Sequence, residues 1–122
     1  FLDLQYSDTK DERINFFNDN GIEIKKFNKI DNFKDLNGVT SLIDACDFII
    51  TVSNTNAHMA GALGKKTFLL LPKGKGRLWY WSSLKNKSTW YPSIEIIEQN
   101  FPGEWQPVID NLRKKVESFT NG

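Results

Sequence analysis

Phe48-Ile49-Ile50-Thr51-Val52 runs without a break into Ser53-Asn54-Thr55, then into Asn56-Ala57-His58-Met59-Ala60-Gly61-Ala62-Leu63 and a stopping Gly64. The first five residues are β-branched or aromatic, as in a strand covered on both faces. Ser53, Asn54 and Thr55 supply N-cap chemistry, and the small residues that follow predict a helix from Asn56 to Leu63 lying close to a sheet. Thr67-Phe68-Leu69-Leu70-Leu71 then reads as a second buried strand. Strand, helix, strand within about 25 residues is the unit of a parallel α/β sheet with right-handed crossovers.

The rest of the chain extends this pattern. Phe1 to Tyr6 alternates with period two and reads as a strand. Thr9-Lys10-Asp11-Glu12 fits a capping box, with Ile14, Phe16 and Phe17 as the apolar face of a helix ending near Asn20 before Gly21. Ile22 to Phe27 alternates again, and Asn28 to Gly38 is polar and turn-rich. A short helix should then turn Leu42, Ile43 and Cys46 inward. Pro72 to Tyr91 reads as irregular, and Ile94 to Ile97 as a last strand. Trp105, Val108, Ile109, Leu112, Val116 and Phe119 recur at helical spacing and predict a terminal helix with this stripe in the core. The expectation is one Rossmann-like α/β domain over residues 1–122, with about five mostly parallel strands and flanking helices.

Leu, Ile, Val and Phe supply 35 of the 122 residues, which excludes global disorder. The longest strictly apolar stretch, Phe68 to Pro72, is far short of the roughly 20 residues of a membrane span. No secretory leader is visible, and the single Cys46 can form no internal disulfide, so a cytoplasmic setting is expected. The first residue is Phe1, which implies a parent sequence continuing upstream. The net charge of +1 conceals an asymmetry. Seven Lys and Arg and no acidic residue lie between Phe48 and Ile94, and the remainder carries −6. Such a window suits an anionic partner, or is a lysine-rich solvated face.

In open parallel sheets ligands bind beyond the carboxyl ends of the strands. The turn Ser53-Asn54-Thr55 lies at one such end, where free N–H groups and the helix dipole would hold an anion. His58 is the only histidine and falls one turn further; it either faces that anion or packs against a loop. At the next strand end, Lys73, Lys75 and Arg77 alternate with glycines and suit a diphosphate, whereas Trp79, Tyr80 and Trp81 beside them would suit single-stranded nucleic acid. The acidic remainder opposes the nucleic-acid reading. Gly64-Lys65-Lys66-Thr67 is not a phosphate loop, since it lacks the earlier glycine and leads from helix to strand. At the end of the first strand Tyr6, Ser7 and Glu12 could meet a ribose, although the capping box also accounts for Glu12.

Leu4-Gln5-Tyr6-Ser7-Asp8 with Glu12, Leu42 to Ile50, and Ser53 to Gly64 together resemble the C-terminal domain of GT-B glycosyltransferases of the heptosyltransferase-like family 9 type. Leu70-Leu71-Pro72, Trp79, Trp81, Trp90-Tyr91-Pro92-Ser93 and Gly103-Glu104-Trp105 resemble the bacterial members that carry this domain after tetratricopeptide repeats. The resemblance covers nearly the whole chain. It implies a nucleotide-sugar donor whose diphosphate meets Ser53, Asn54, Thr55 and His58, a ribose near Glu12, and a base near Asp35 and Leu36. Many members have Asp where Ser53 stands, which leaves donor identity open.

The family's acceptor-binding domain and its first C-domain strand would precede Phe1. With the expected strands numbered in chain order, the gap either closes to give the order 2-1-3-4-5 or is filled by a second copy of the chain. The resemblance thus implies the nucleotide-sugar-binding half of a glycosyltransferase, inactive alone and without catalytic residues of its own; no DxD-like pair lies near the cleft, so no metal or cofactor is expected. The alternative is a non-catalytic interaction module built on a degenerate form of that fold.

Overall fold

The computed structural model describes residues 1–122, with the side chains of all but Ser83 and Leu84. It divides into two compact units, residues 1–45 and 46–122, each described by itself.

The second unit contains the sheet. β1 (Ile49–Val52), β2 (Thr67–Leu71), β3 (Ser83–Leu84), β4 (Lys87–Ser88) and β5 (Ile94–Glu98) stand in the order β1-β2-β5-β4-β3. β1, β2 and β5 are parallel, with Ile49 opposite Thr67 and Thr67 opposite Ile94. β3 and β4 form a short antiparallel hairpin attached to β5. Its two turn residues, Lys85 and Asn86, both have positive φ, as a type I′ turn requires. The α/β class and the mostly parallel sheet therefore stand as expected. The hairpin corrects the reading of Pro72–Tyr91 as irregular.

β2 decides the packing because it is the central parallel strand and all five of its residues are buried. Leu69 and Leu71 join Ala57, Trp81, Ile94 and Ile96 on one face. Phe68 and Leu70 join Ile97, Val108 and Leu112 on the other. Each Leu, Ile, Val or Phe among them stabilises the fold by roughly 1.5–3 kcal/mol relative to exposure. α3 (Thr55–Ala62) covers the first face through Ala57, and α4 (Gln106–Asn121) covers the second through Val108 and Leu112. Only the middle of the predicted α4 stripe is deeply buried. Trp105, Ile109 and Phe119 are partly exposed, although the Phe119 ring still meets Phe48 and Phe68 edge-on.

β1 departs from expectation. It ends the sheet, and Ile50 and Val52 are 44% and 51% exposed, so this strand is not covered on both faces. The sheet is drawn entirely from residues 49–98, and the expected order 2-1-3-4-5 keeps only its 3-4-5 portion.

In the first unit the two expected strands shrink to a single parallel bridge between Leu2 and Lys25. The ladder does not continue because the Gln5 and Ser7 carbonyls accept hydrogen bonds from the side chains of Lys26 and Asn32 instead. α1 (Lys10–Asn20) ends at Gly21, whose φ of +68° suits a residue without Cβ. No capping box forms: the Thr9 hydroxyl donates to the buried Asp3 carboxylate. Asp3 also receives the Gln5 N–H and faces Arg13 and Lys26 at 3.8 and 3.7 Å. The expected apolar face of α1 is exposed, with Ile14, Phe16 and Phe17 at 39–50%. α2 (Leu36–Ala45) starts earlier than expected and buries Val39, Leu42 and Ile43. No helix among the described residues is long and apolar enough to cross a membrane.

Glu95 forms a partly buried polar contact on the sheet that matters for stability. Glu95 of β5 accepts from Lys66 at 2.7 Å and from Lys115 of α4. Partial burial pushes its carboxyl up, but the two lysine hydrogen bonds outweigh this and hold it below the usual glutamate range. A carboxylate lowered in the folded state contributes stability above its ordinary pKa and loses it as pH falls through the lowered one. Glu95→Gln is expected to cost about 1–2 kcal/mol at neutral pH, allowing for partial exposure. It should also flatten the loss of stability on acidification below about pH 5. Urea melts at several pH values measure both effects.

Candidate functional site

The carboxyl ends of β1 and β2 lead into the turn at Ser53 and the loop from Pro72. Asn54 caps α3: its Oδ1 accepts the Ala57 N–H at 3.1 Å and the Thr51 hydroxyl at 3.1 Å. Asn54 and Thr55 are exposed, and His58 lies one turn further, half-buried. The remaining first-turn N–H groups of a helix have no intrahelical acceptor, so this end attracts negative charge.

Aromatic residues fix the position of His58. Its ring stacks on Trp81 at 4.7 Å with an interplanar angle of 25°. Its Nδ1 is 3.1 Å from the Tyr91 hydroxyl, and Tyr80 lies 5.5 Å away. Trp81 is buried, and its indole Nε1 donates to Ser53 Oγ at 2.8 Å. One side chain thus ties the turn after β1 to the loop after β2. Gly61 makes this arrangement possible, because a Cβ there would stand 2.4 Å from the Tyr91 ring. With Nδ1 engaged by Tyr91, Nε2 is the ring nitrogen that can meet a ligand.

The three basic candidates differ in setting. Lys73 and Lys75 are exposed. Arg77 is held by Glu98, with Nε 3.3 Å from Oε1 and Nη2 3.5 Å from Oε2. Its Nη1 is buried without an acceptor among the described residues. The loop's start is pinned by Gln99, 3% exposed, whose Oε1 accepts the backbone N–H groups of Lys73 at 3.1 Å and Gly103 at 3.3 Å.

The ribose and base candidates all belong to the first unit. Tyr6 and Ser7 line an open pocket of about 600 Å³ together with Lys10, Arg13 and Lys26. Tyr6 is 75% exposed, its ring 5.6 Å from Phe33. Glu12 is exposed on α1 and is not among the pocket's lining residues. Asp35 serves as a cap, its carboxylate accepting the Gly38 N–H at 2.8 Å, and Leu36 is the exposed first residue of α2. Ser53, Asn54, Thr55, His58, Lys73, Lys75 and Arg77 all belong to the second unit.

Trp81, Tyr91, Gln99 and Glu98 acquire a role that residue-type reasoning did not give them. For Trp81 and Tyr91 a signal existed in the aromatic density of residues 79–91. For Gln99 the only signal was a polar residue directly after a strand. Cys46 is not activated: burial pushes its thiol up, against the weaker pull of Lys65.

No family model matches the chain, and no solved structure matches it. Protein FlbA of Caulobacter vibrioides (strain ATCC 19089 / CIP 103742 / CB 15) is 30% identical over 120 residues, which is 98% of this chain and 19% of that protein. The chain therefore spans about a fifth of the curated relative that it matches.

Gly61→Ala tests the aromatic packing. It is expected to destabilise the fold by about 1–3 kcal/mol, because a rigid ring faces the new methyl group. It should also break the contact between His58 and Tyr91. A thermal melt gives the first effect, and the tyrosine and histidine side-chain resonances give the second.

Proposed function

We propose that this chain is the nucleotide-sugar-binding part of a glycosyltransferase, taking a nucleoside diphosphate on the turn Ser53-Asn54-Thr55. The observation that carries this reading is the position of His58, one turn into the helix that follows β1 and clamped there by Trp81 and Tyr91. Lys73 and Lys75, exposed on the loop after β2, add positive charge. The setting is the bacterial cytoplasm.

Departure of a nucleoside diphosphate builds negative charge, which a helix terminus with nearby cations is oriented to stabilise. A helix terminus contributes only about 0.3–2 kcal/mol. Enzymes lower barriers by roughly 8–23 kcal/mol. The chain therefore binds donor, while an acceptor domain supplies most of the catalysis. Tetratricopeptide repeats are the expected further neighbours, and a second copy could extend the sheet at β1. The stretch of Protein FlbA that is similar to this chain lies within a much longer protein.

A second reading, a non-catalytic interaction module on the same fold, draws on a different observation. Ser53 Oγ, Asn54 Oδ1, His58 Nδ1 and the Arg77 guanidinium each already hold a partner within the domain. Calorimetric titration with UDP, GDP, CDP and ADP separates the two readings. Nucleotide-sugar binding predicts that one of them binds and that His58→Ala weakens it about tenfold, or about 1.4 kcal/mol, with Asn54→Ala acting in the same direction. His58→Gln, which keeps a planar polar side chain, checks that the loss exceeds any loss of folding. Absence of binding at millimolar concentration selects the interaction module.

A further inference from the structure

Trp79 is the most exposed tryptophan in the chain, at 82%, yet its ring is not isolated. It meets Tyr80 at 5.8 Å with an interplanar angle of 78°, and Tyr80 meets His58 at 5.5 Å. Two ring contacts therefore lead from open solvent to the histidine beside the helix start. Tyr80 packs on the buried cluster around Trp81, so the inner end of this series is anchored in the core. The same loop carries the exposed Lys73 and Lys75.

We infer that Trp79 is the platform on which the sugar ring of the donor stacks. This rests on the nucleotide-sugar reading above and identifies a further part of that site. A pyranose has an apolar C–H face that an indole covers well, and a rim of hydroxyls that ammonium donors can reach. The loop carries both an exposed aromatic face and exposed ammonium donors. A nucleobase would also stack, but in a nucleotide sugar it is separated by the ribose and a further phosphate from the phosphate that carries the sugar. Position agrees as well: the sugar is joined directly to the phosphate that His58 would meet, so its ring belongs within a few ångströms of the aromatic series. Covering the indole also removes a large apolar surface from water.

The test compares the best-binding nucleoside diphosphate among UDP, GDP, CDP and ADP with its glucose conjugate, on the wild-type chain, Trp79→Ala and Trp79→Phe. The expected result is that the conjugate binds wild type more tightly than the diphosphate, and that Trp79→Ala weakens the conjugate about tenfold while the diphosphate stays within twofold. Trp79→Phe, which retains a ring, should recover most of the loss. Tryptophan fluorescence should be quenched by the conjugate in wild type and far less in Trp79→Ala. Conjugate affinity unmoved by Trp79→Ala, or a conjugate no tighter than the diphosphate, overturns the platform and leaves the diphosphate site standing. Equal weakening of both ligands also overturns it, since the ring would then support the base or the loop. If wild type binds none of these ligands, the nucleotide-sugar reading itself fails and the platform falls with it.

Discussion

The hydrogen bond from the buried Trp81 indole to Ser53 Oγ joins two strand ends that the sheet alone would leave separate. β1 and β2 are parallel neighbours, so the turn after one and the loop after the other emerge side by side without being held to each other. Trp81 closes that gap. Its ring belongs to the core cluster with Leu69, Leu71, Ile94 and Ile96, its N–H reaches the turn, and its face carries His58. A buried indole N–H without an acceptor costs about 1–3 kcal/mol. The position of Ser53 is therefore coupled to the packing of the sheet. Tyr91 fixes the other side of His58, and Gly61 leaves room for it.

Charge acquires a different meaning in the fold. The acid-free stretch from Phe48 to Ile94 looks like a uniform basic face, but β5 brings Glu95 and Glu98 directly beside it. Glu95 engages Lys66, and Glu98 engages Arg77. These two cations hold the architecture, and Lys66 also lies 4.7 Å over the Phe68 ring. The positive charge left on the loop after β2 is that of Lys73 and Lys75. The start of that loop is held by Gln99, whose Oε1 accepts the Lys73 N–H.

The parts of the fold carried by strong local pattern were legible in the chain. The apolar run of β2 is buried on both faces as its pattern implies, whereas the similar run of β1 is not, because β1 ends the sheet. The Asn54 side-chain cap and the left-handed Gly64 bracket α3. The first unit was less legible. Phe1–Tyr6 alternates well enough for a strand, yet its pairing was decided by Asp3, Lys26 and Asn32, whose side chains compete with the ladder. Thr9 shows the same competition, since a nearer carboxylate took the hydroxyl that would have capped α1. The candidate turn was visible because helix starts are local. The clamp on His58 was not, because it depends on contacts between positions 53, 58, 81 and 91 that only the tertiary fold brings together.

In the proposed site the turn after β1 would receive a diphosphate while Trp81 and Tyr91 hold His58 in place. Its most direct test is an amide and indole NMR spectrum recorded during addition of a nucleoside diphosphate, with the Ala57 amide and the Trp81 Nε1–H as reporters. Saturable shifts are expected at both signals and at Ser53 to His58, with smaller ones at Lys73 to Arg77. Spectra unchanged up to millimolar nucleotide, or shifts that leave both reporters unmoved, would contradict it.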